Sequence, residues 1–168
     1  MTQKTDFEDI KAEILNRAKA AKACTEQYSR AYKSETLQEL CSVIKDNFNW
    51  CFNNKVITSN LLMQYREDFA QNDIFINISV RSGFLLCDNA TVEAYGNVTV
   101  EACDNAIVKA WDNVTVKAWG NATVEACDNA YCTSRCIIEC KLSNNAIYRV
   151  KSTNTVYYSS DNINFIKQ

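Results

Sequence analysis

The feature that most constrains the fold is an eight-residue unit repeated through the second half of the chain. Six adjacent copies cover residues 87–134, and each begins with an aromatic residue or cysteine, then Asp or Gly, then Asn. The copies read CDNATVEA, YGNVTVEA, CDNAIVKA, WDNVTVKA, WGNATVEA and CDNAYCTS. A short fixed period is typical of solenoid proteins, in which each repeat buries its apolar face against its neighbours.

The same register extends beyond these copies and makes eleven octads over residues 71–158. Upstream, QNDIFINI and SVRSGFLL fill positions four, six and eight with Ile74, Ile76, Ile78, Ser82, Phe84 and Leu86. Downstream, RCIIECKL fills these positions with Ile138, Cys140 and Leu142. SNNAIYRV then returns the Asn-Ala pair, and KSTNTVYY returns the Thr-Val pair. We therefore expect one unbroken solenoid.

Alternation within each octad predicts one corner followed by one short strand. The even positions are small and apolar, as in Ala90, Val92 and Ala94, while positions five and seven carry Thr and a charged residue. A period of two with β-branched residues indicates a strand with one buried face. The Asp-Asn or Gly-Asn pair that precedes it tolerates left-handed backbone and predicts a turn.

The charges at position seven favour two octads per coil. One column then holds Asn77, Glu93, Lys109, Glu125, Lys141 and Tyr157, and the other holds Leu85, Glu101, Lys117, Thr133 and Arg149. Opposite charges on neighbouring strands stabilise by about 0.2–1 kcal/mol each, whereas three octads per coil would place Glu101 beside Glu125. We predict a flat two-sheet solenoid of sixteen residues per coil. The eleven octads would make five to six coils around a thin core of Ala and Val.

The first seventy residues carry helical patterns instead, so the predicted fold class is α+β. Thr5 and Glu8 form a capping box for a first helix. Its apolar stripe consists of Phe7, Ile10, Ile14, Leu15 and Ala18. A second helix is expected from about Ser34, and its stripe consists of Leu37, Leu40, Cys41, Ile44 and Phe48. A third is expected over residues 59–69, with an aromatic loop at residues 48–52 packed between the helices.

The predicted domains are a helical region at 1–70, the octapeptide solenoid at 71–158 and a C-terminal cap or tail at 159–168. An open solenoid end exposes unpaired strand edges, which favour aggregation unless they are capped. We therefore expect the helical region to cap the N-terminal end. Ile163, Phe165 and Ile166 are the candidate apolar residues of the cap at the other end.

Composition excludes several classes of protein. The 18 basic and 20 acidic residues nearly cancel, which predicts neither a basic nucleic-acid-binding face nor an acidic DNA mimic. No apolar run approaches the ~20 residues of a membrane span, and no signal peptide is evident. We expect no membrane partner and a location in the bacterial cytoplasm, where the nine cysteines would stay reduced.

The residues that most enzymes use are scarce. The absence of histidine removes Ser-His and Cys-His nucleophiles, the histidine base of hexapeptide acyltransferases and histidine metal sites. The three glycines, Gly83, Gly96 and Gly120, are too scattered to form a phosphate-binding loop. We therefore expect a protein that is not an enzyme and that has no cofactor, no catalytic residues and no metal.

The segment GNATVEA at Gly120–Ala126, with its variants CDNATVEA and WDNVTVKA, resembles a repeat found in phage, prophage and gut-bacterial proteins. The stretch CSVIKDNFNWCFNNKVI at Cys41–Ile57 resembles the segment that often precedes such repeats, and the likeness extends over residues 24–158. The resemblance implies a mobile-element origin and supplies no catalytic residues. Small phage proteins of this kind are often inhibitors of host defence, including CRISPR systems, and this analogy motivates an anti-CRISPR-like hypothesis.

Position one of the octads offers the candidate interaction residues. It carries Cys87, Tyr95, Cys103, Trp111, Trp119 and Cys127. Aromatic residues are favoured interface anchors, and they also stack the bases of single-stranded nucleic acid. The alternative is that they pack over the solenoid edge or under the helices. With the charged columns, the candidate partner-binding set is Tyr95, Trp111, Trp119, Glu93, Lys109, Glu101, Lys117 and Glu125.

Other repeated residues have structural interpretations. Cys132, Cys136 and Cys140 are four residues apart, but all fall on even positions, so core packing is favoured over metal binding. Corner carboxylates at Asp88, Asp104, Asp112 and Asp128 lack the glycine-rich turns of calcium-binding β-rolls. The Thr columns at Thr91/Thr123 and Thr99/Thr115 resemble ice-binding faces, but the neighbouring charges argue against that interpretation.

The favoured hypothesis is a non-catalytic, macromolecule-binding protein of phage or mobile-element type. A protein or ribonucleoprotein target is expected, with nucleic acid reached through that target, and inhibition of a host defence system such as a CRISPR effector is the specific expectation. One alternative is a structural or assembly protein that forms homo-oligomers through its solenoid ends. Another is a solenoid that binds RNA through its aromatic ladder, and a third is an enzyme that uses Asp, Glu or Cys.

Overall fold

A computed structural model of the chain describes residues 3–159, and it describes side chains from Phe7 onward. The chain divides into two compact units, Met1–Ile74 and Phe75–Gln168, which we name the helical unit and the solenoid unit. The architecture is a helical region followed by a two-sheet β-solenoid, so the predicted α+β class is confirmed. No helix in the described part of the chain is long and apolar enough to span a membrane.

The described part of the helical unit, from Gln3 onward, contains six helices. They are α1 (Gln3–Ala20), α2 (Thr25–Lys33), α3 (Leu37–Asp46), α4 (Phe48–Asn53), α5 (Ser59–Gln64) and α6 (Arg66–Ala70). Thr36 and Thr58 cap α3 and α5 by accepting hydrogen bonds from backbone N–H groups. The stripes predicted for the first two helices supply the core through Ile10, Ile14, Leu40, Cys41 and Ile44, and Leu61 and Leu62 of α5 are also buried.

Four details of the helical prediction are corrected. Helix α2 was not predicted, since its sequence TEQYSRAYK contains few apolar residues and only Ala31 of them is buried. The expected loop at residues 48–52 is helix α4, because burial of Phe48 and Cys51 orders it. The third predicted helix divides at Tyr65. Helix α1 begins two residues before the predicted Thr5 cap, and the side chain of Thr5 lies outside the described residues.

The strands of the solenoid unit form two sheets. They are β1 (Ile74–Ile76), β2 (Phe84–Cys87), β3 (Thr91–Ala94), β4 (Thr99–Ala102), β5 (Ile107–Ala110), β6 (Thr115–Ala118), β7 (Thr123–Ala126), β8 (Tyr131–Ser134), β9 (Glu139–Leu142), β10 (Ile147–Val150) and β11 (Thr155–Tyr158). The first sheet has the order β1-β2-β4-β6-β8-β10-β11, and the second has the order β3-β5-β7-β9. From β2 to β10 successive strands therefore alternate between the sheets, whereas β1 and β2 are neighbours in the first sheet, as are β10 and β11.

The register from β3 to β10 confirms sixteen residues per coil. Val92 pairs in parallel with Val108, and Val108 pairs with Val124. The inward Val and Ala side chains of both sheets are fully or almost fully buried and make one continuous core. This regular part has about four two-strand turns, fewer than the five to six predicted, because both ends depart from the repeat.

The corners follow the predicted turn chemistry. Position-two residues from the second copy onward adopt left-handed backbone, with φ of 54° at Asp104, 58° at Asp112 and 57° at Asp128, whereas Asp88 does not. Gly96 and Gly120 take the same conformation at the equivalent corners. Asn, Asp and Gly tolerate this region best, which explains why the repeat uses only these residue types there.

The position-three asparagines form two exposed ladders along the corners. One runs through Asn89, Asn105 and Asn121, and the other runs through Asn97, Asn113, Asn129 and Asn145. In each step the side-chain amide of one asparagine donates to the amide oxygen sixteen residues earlier, at 2.9–3.4 Å. Each ladder therefore fastens consecutive coils to one another.

The predicted register is wrong at the N-terminal end. Phe84 pairs with Thr99, an offset of fifteen residues, so Leu86 rather than Leu85 lies opposite Glu101. Val80 bridges to Ala94, an offset of fourteen, so Ser79 rather than Asn77 lies beside Glu93. The run FLLC is apolar at every position, and such a run does not distinguish the two faces of a strand.

The C-terminal octad is also corrected. Strand β11 turns back after residues 151–154 and pairs with β10 in antiparallel register, Tyr157 lying opposite Tyr148. The predicted position of Tyr157 over Lys141 is therefore wrong. Asn154, with φ of 53°, makes the reversal possible. The proposed cap residues of the tail, from Ser160 onward, lie outside the described residues, and the capping role of the helical region stays a prediction.

Candidate functional site

The sixteen-residue coil distributes the position-one residues over two opposite edges. Tyr95, Trp111 and Cys127 follow the strands of the second sheet and form one edge. Cys103 and Trp119 follow strands of the first sheet and form the other. The structure therefore brings Tyr95 and Trp111 together and separates both from Trp119, so the predicted aromatic set is not one surface.

The edge with Tyr95 carries an ordered stack of planar groups. The Tyr95 and Trp111 rings are parallel within 8°, and their centroids are 4.7 Å apart. On the other face of Tyr95, the guanidinium carbon of Arg81 lies 4.7 Å from the ring centroid. We name Arg81, Tyr95 and Trp111 the corner ladder. Its spacing matches the ~4.8 Å distance between parallel strands, so the coil stacking itself sets the stacking of the rings.

Two further contacts hold the ladder in place. The Tyr95 hydroxyl donates to Glu93 Oε2 at 2.7 Å, and this hydrogen bond raises the pKa of Tyr95 above its ordinary value. Glu93 also pairs in register with Lys109 on the next strand, as the sequence predicts. Arg81 was not predicted as a site residue, because the unbroken octad register assigned it to a different column.

The charged columns lie on opposite outer faces. Glu93, Lys109, Glu125 and Lys141 line the second sheet, with Lys141 Nζ 3.3 Å from Glu125 Oε1. On the first sheet Lys117 Nζ lies 3.6 Å from Glu101 Oε1, and the Glu101 side chain is fully buried. Burial removes Glu101 from the accessible contact residues, which corrects its prediction as a partner-binding side chain.

Two carboxylates lie at the corners next to Trp111, Asp112 on the same coil and Asp128 on the next coil. Asp112 follows Trp111 directly, and its Oδ2 accepts from the Gly96 N–H at 2.9 Å. Asp128 Oδ2 accepts from the Asp112 N–H at 3.3 Å, and its Oδ1 accepts from Asn144 at 2.9 Å. These side chains are therefore fixed beside Trp111. At the corners of this edge, two carboxylates, Asp112 and Asp128, therefore accompany one cation, Arg81.

The cysteines occupy several environments. Cys87, predicted at an outer corner, is fully buried opposite Ala102 because of the register change, and burial raises its pKa to about 12. Cys132 is in the core, and its hydrogen bond with Cys140 and its burial raise its pKa. Cys136 is exposed, so its predicted place in the core is wrong. No group of three metal-ligating side chains occurs in the described part of the chain.

The helical unit encloses an apolar cavity of about 300 Å³. Its wall includes Ile14, Ala31, Leu40, Ile44 and Trp50, with Gln27 and Asn47 as its polar members. This cavity was not predicted, because helix α2, which supplies part of its wall, was not predicted. A second cavity lies among Ile138, Leu142, Tyr148 and Tyr157 in the solenoid unit.

Comparison of the chain with protein-family models, with curated proteins and with solved structures finds no match.

Proposed function

We propose that the protein is a non-catalytic scaffold that binds a macromolecular partner through the corner ladder. The observation that supports this proposal is the parallel stack of Tyr95 and Trp111 at 4.7 Å on a rigid solenoid edge. Both rings are partly exposed although they are ordered by their neighbours. Arginine, tyrosine and tryptophan are the residue types that most often dominate binding energy at interfaces.

The ladder is suited to binding because its conformation is established before a partner arrives. Each of its aromatic residues follows a strand that is hydrogen-bonded to the coils on both sides, as at Trp111, whose backbone N–H donates to Ala94. Binding therefore orders few new side-chain rotamers, a cost that otherwise reaches about 0.5–1.5 kcal/mol per side chain. A rigid edge of this kind can occlude a partner's site or hold the partner in an inactive arrangement.

The proposed setting is the cytoplasm of a bacterial host, and the proposed activity is inhibition of a defence system such as a CRISPR effector. The support for this setting is the resemblance of the octapeptides to phage and prophage repeats, together with the nine free thiols, which suit a reducing compartment. In this proposal the target is a protein or ribonucleoprotein, and nucleic acid is contacted only through it.

The test is capture of partners from the native host with the wild-type chain and with Trp111→Ala and Tyr95→Ala variants, followed by mass spectrometry. Trp119→Ala is the matched control, since Trp119 lies at the opposite edge. We expect the ladder variants to lose a partner that the control retains, with unfolding midpoints measured in parallel. Equal capture by all variants would remove the ladder from the proposal.

A second candidate function is assembly through the C-terminal end of the solenoid. Strand β11 is the last strand of the first sheet, and its Val156, Tyr157 and Tyr158 are 46, 43 and 53% exposed. An exposed apolar edge strand favours pairing with a second copy. Analytical ultracentrifugation tests this alternative: a concentration-dependent dimer that Val156→Lys abolishes supports assembly, and a strict monomer contradicts it.

A further inference from the structure

We propose that the lower face of Trp111 binds the guanidinium group of an arginine on the partner. The lower face is the one turned away from Tyr95 and towards the next coil. This inference rests on the proposed function and specifies its contact. The partner would place a planar cation where the next ring of the corner ladder would lie, and the Asp128 carboxylate, which lies on that side of Trp111, would pair with its N–H groups.

The first argument is the geometry of the ladder. Tyr95 covers one face of the Trp111 indole, and no other ring or cation of the described residues stacks on it. The next coil supplies Cys127 at the equivalent corner, and the coil after that supplies Ser143. An indole extends farther from the backbone than these short side chains, so its outer part overhangs them. The lower face of the indole therefore has no ring of the described residues stacked on it.

The second argument is that the ladder already binds one guanidinium. Arg81 lies over the upper face of Tyr95 at 4.7 Å, in the same stacking direction and at the same spacing as the rings. Guanidinium groups stack on aromatic faces because the cation is attracted to the ring quadrupole and is weakly hydrated. A second guanidinium below Trp111 would repeat at the lower end what Arg81 does at the upper end.

The third argument is charge. Asp128 is fixed between the Asp112 N–H and Asn144, and each of its oxygens retains a further lone pair for a donor. Asp112 is exposed at the same corner. These carboxylates complement a guanidinium and repel the phosphates of a nucleic acid. Charge therefore favours an arginine-bearing protein surface over RNA as the occupant.

The experiment uses the full chain and two small probes, N-acetyl-arginine methylamide and its lysine counterpart. Tryptophan indole N–H signals are followed by ¹H–¹⁵N NMR, with the Trp111 signal assigned from Trp111→Phe. We expect a saturable shift of Trp111, with the arginine probe binding at least about threefold more tightly than the lysine probe. Trp119 is the internal control and should not shift.

The Asp128→Asn variant should weaken the arginine probe by about threefold, while leaving the Tyr95–Trp111 stack in place. Equal binding of both probes, or an unmoved Trp111 signal, would overturn the inference. Tighter binding of oligouridylate than of the arginine probe at the same salt concentration would overturn it in favour of nucleic acid. If host capture still depends on Trp111 in these cases, the proposed function stands and only the arginine contact fails.

Discussion

Lys117 reaches the fully buried carboxylate of Glu101 from the next coil, with Nζ 3.6 Å from Oε1. The same Glu–Lys relationship, sixteen residues apart, occurs on the other sheet between Glu125 and Lys141. There the side chains are 39 and 70% exposed. Since a carboxylate removed from water depends on its partners far more than an exposed one, the two pairs make unequal contributions to stability.

Lys117→Met should therefore lower the free energy of unfolding by about 2–3 kcal/mol, because it removes a cation from a buried carboxylate. Lys141→Met, the matched control, should cost less than about 0.5 kcal/mol, since its pair is screened by water. Urea denaturation followed by far-ultraviolet circular dichroism measures both values. Similar losses in the two variants would show that burial of Glu101 does not strengthen its pair.

Gly96 occupies a corner that no larger residue fits. Its φ is +67°, and a Cβ built on it would lie 2.8 Å from the Arg81 carbonyl oxygen. At Gly120, with φ of +64°, the closest atom would be the Asp104 nitrogen at 3.2 Å. Gly96→Ala should therefore cost about 2–3 kcal/mol, because a backbone clash adds to the left-handed strain, whereas Gly120→Ala should cost about 1 kcal/mol.

Chemical denaturation of the two glycine variants tests this difference. The shortened coil before Gly96 causes the close approach, since Val80 pairs with Ala94 over fourteen residues only. A Gly96→Ala variant as stable as Gly120→Ala would mean that this coil relaxes freely.

The thiols should differ strongly in reactivity. Burial raises the pKa of Cys41, Cys51 and Cys87 to about 12, so almost no thiolate is present at pH 8. Cys24 and Cys136 are exposed. Iodoacetamide labelling at pH 8, read by peptide mass spectrometry, should modify Cys24 and Cys136 first and the three buried thiols only on unfolding. Early labelling of Cys87 would contradict its position in the core.

The same buried thiols should make the protein less stable in alkali. Their native pKa values lie near 12, above the ordinary 9.0, so the native state retains protons that the unfolded chain releases. The contribution of these thiols to the free energy of unfolding is complete below pH 9. It is lost as pH rises from about 9 to 12, by up to about 1.4 kcal/mol per pH unit for each thiol. The urea midpoint should therefore be lower at pH 10 than at pH 8. In Cys51→Ala the difference between the two midpoints should be smaller than in the wild-type chain.

Tyr148 fastens the irregular corner before β9. Its hydroxyl accepts from the Ile138 N–H at 2.9 Å and lies 2.7 Å from Ser134 Oγ. Tyr148→Phe would leave the Ile138 N–H unsatisfied, whereas Ser134 Oγ would keep its hydrogen bond to the Cys136 carbonyl, and the variant should cost about 1–3 kcal/mol. Tyr157→Phe is the control, since Tyr157 stacks on Tyr148 but is 43% exposed, and it should be near neutral. Thermal unfolding compares the two, and equal melting temperatures would refute the role of the hydroxyl.

The sequence by itself determined the regular part of the solenoid. Alternating Val, Ala, Thr and charged residues specify which face of each strand is buried, and corner Asp, Gly and Asn specify the turns. The sixteen-residue coil followed from the alternation of Glu and Lys at position seven of every second octad, as the pairing of Glu93 with Lys109 shows. Every copy of the octad carries these features, so the sequence specifies each of them several times.

Tertiary structure decided the features for which the sequence carries a single or ambiguous pattern. The apolar run at Phe84–Cys87 does not choose between its two faces, and packing set its fifteen-residue offset. That offset placed Cys87 in the core, and the fourteen-residue offset at Val80 placed Arg81 on Tyr95. Strand β11 likewise matched the repeat but paired as a hairpin. The candidate site lies where the coil departs from its period, because a periodic pattern cannot indicate the residues that its own irregularities bring together.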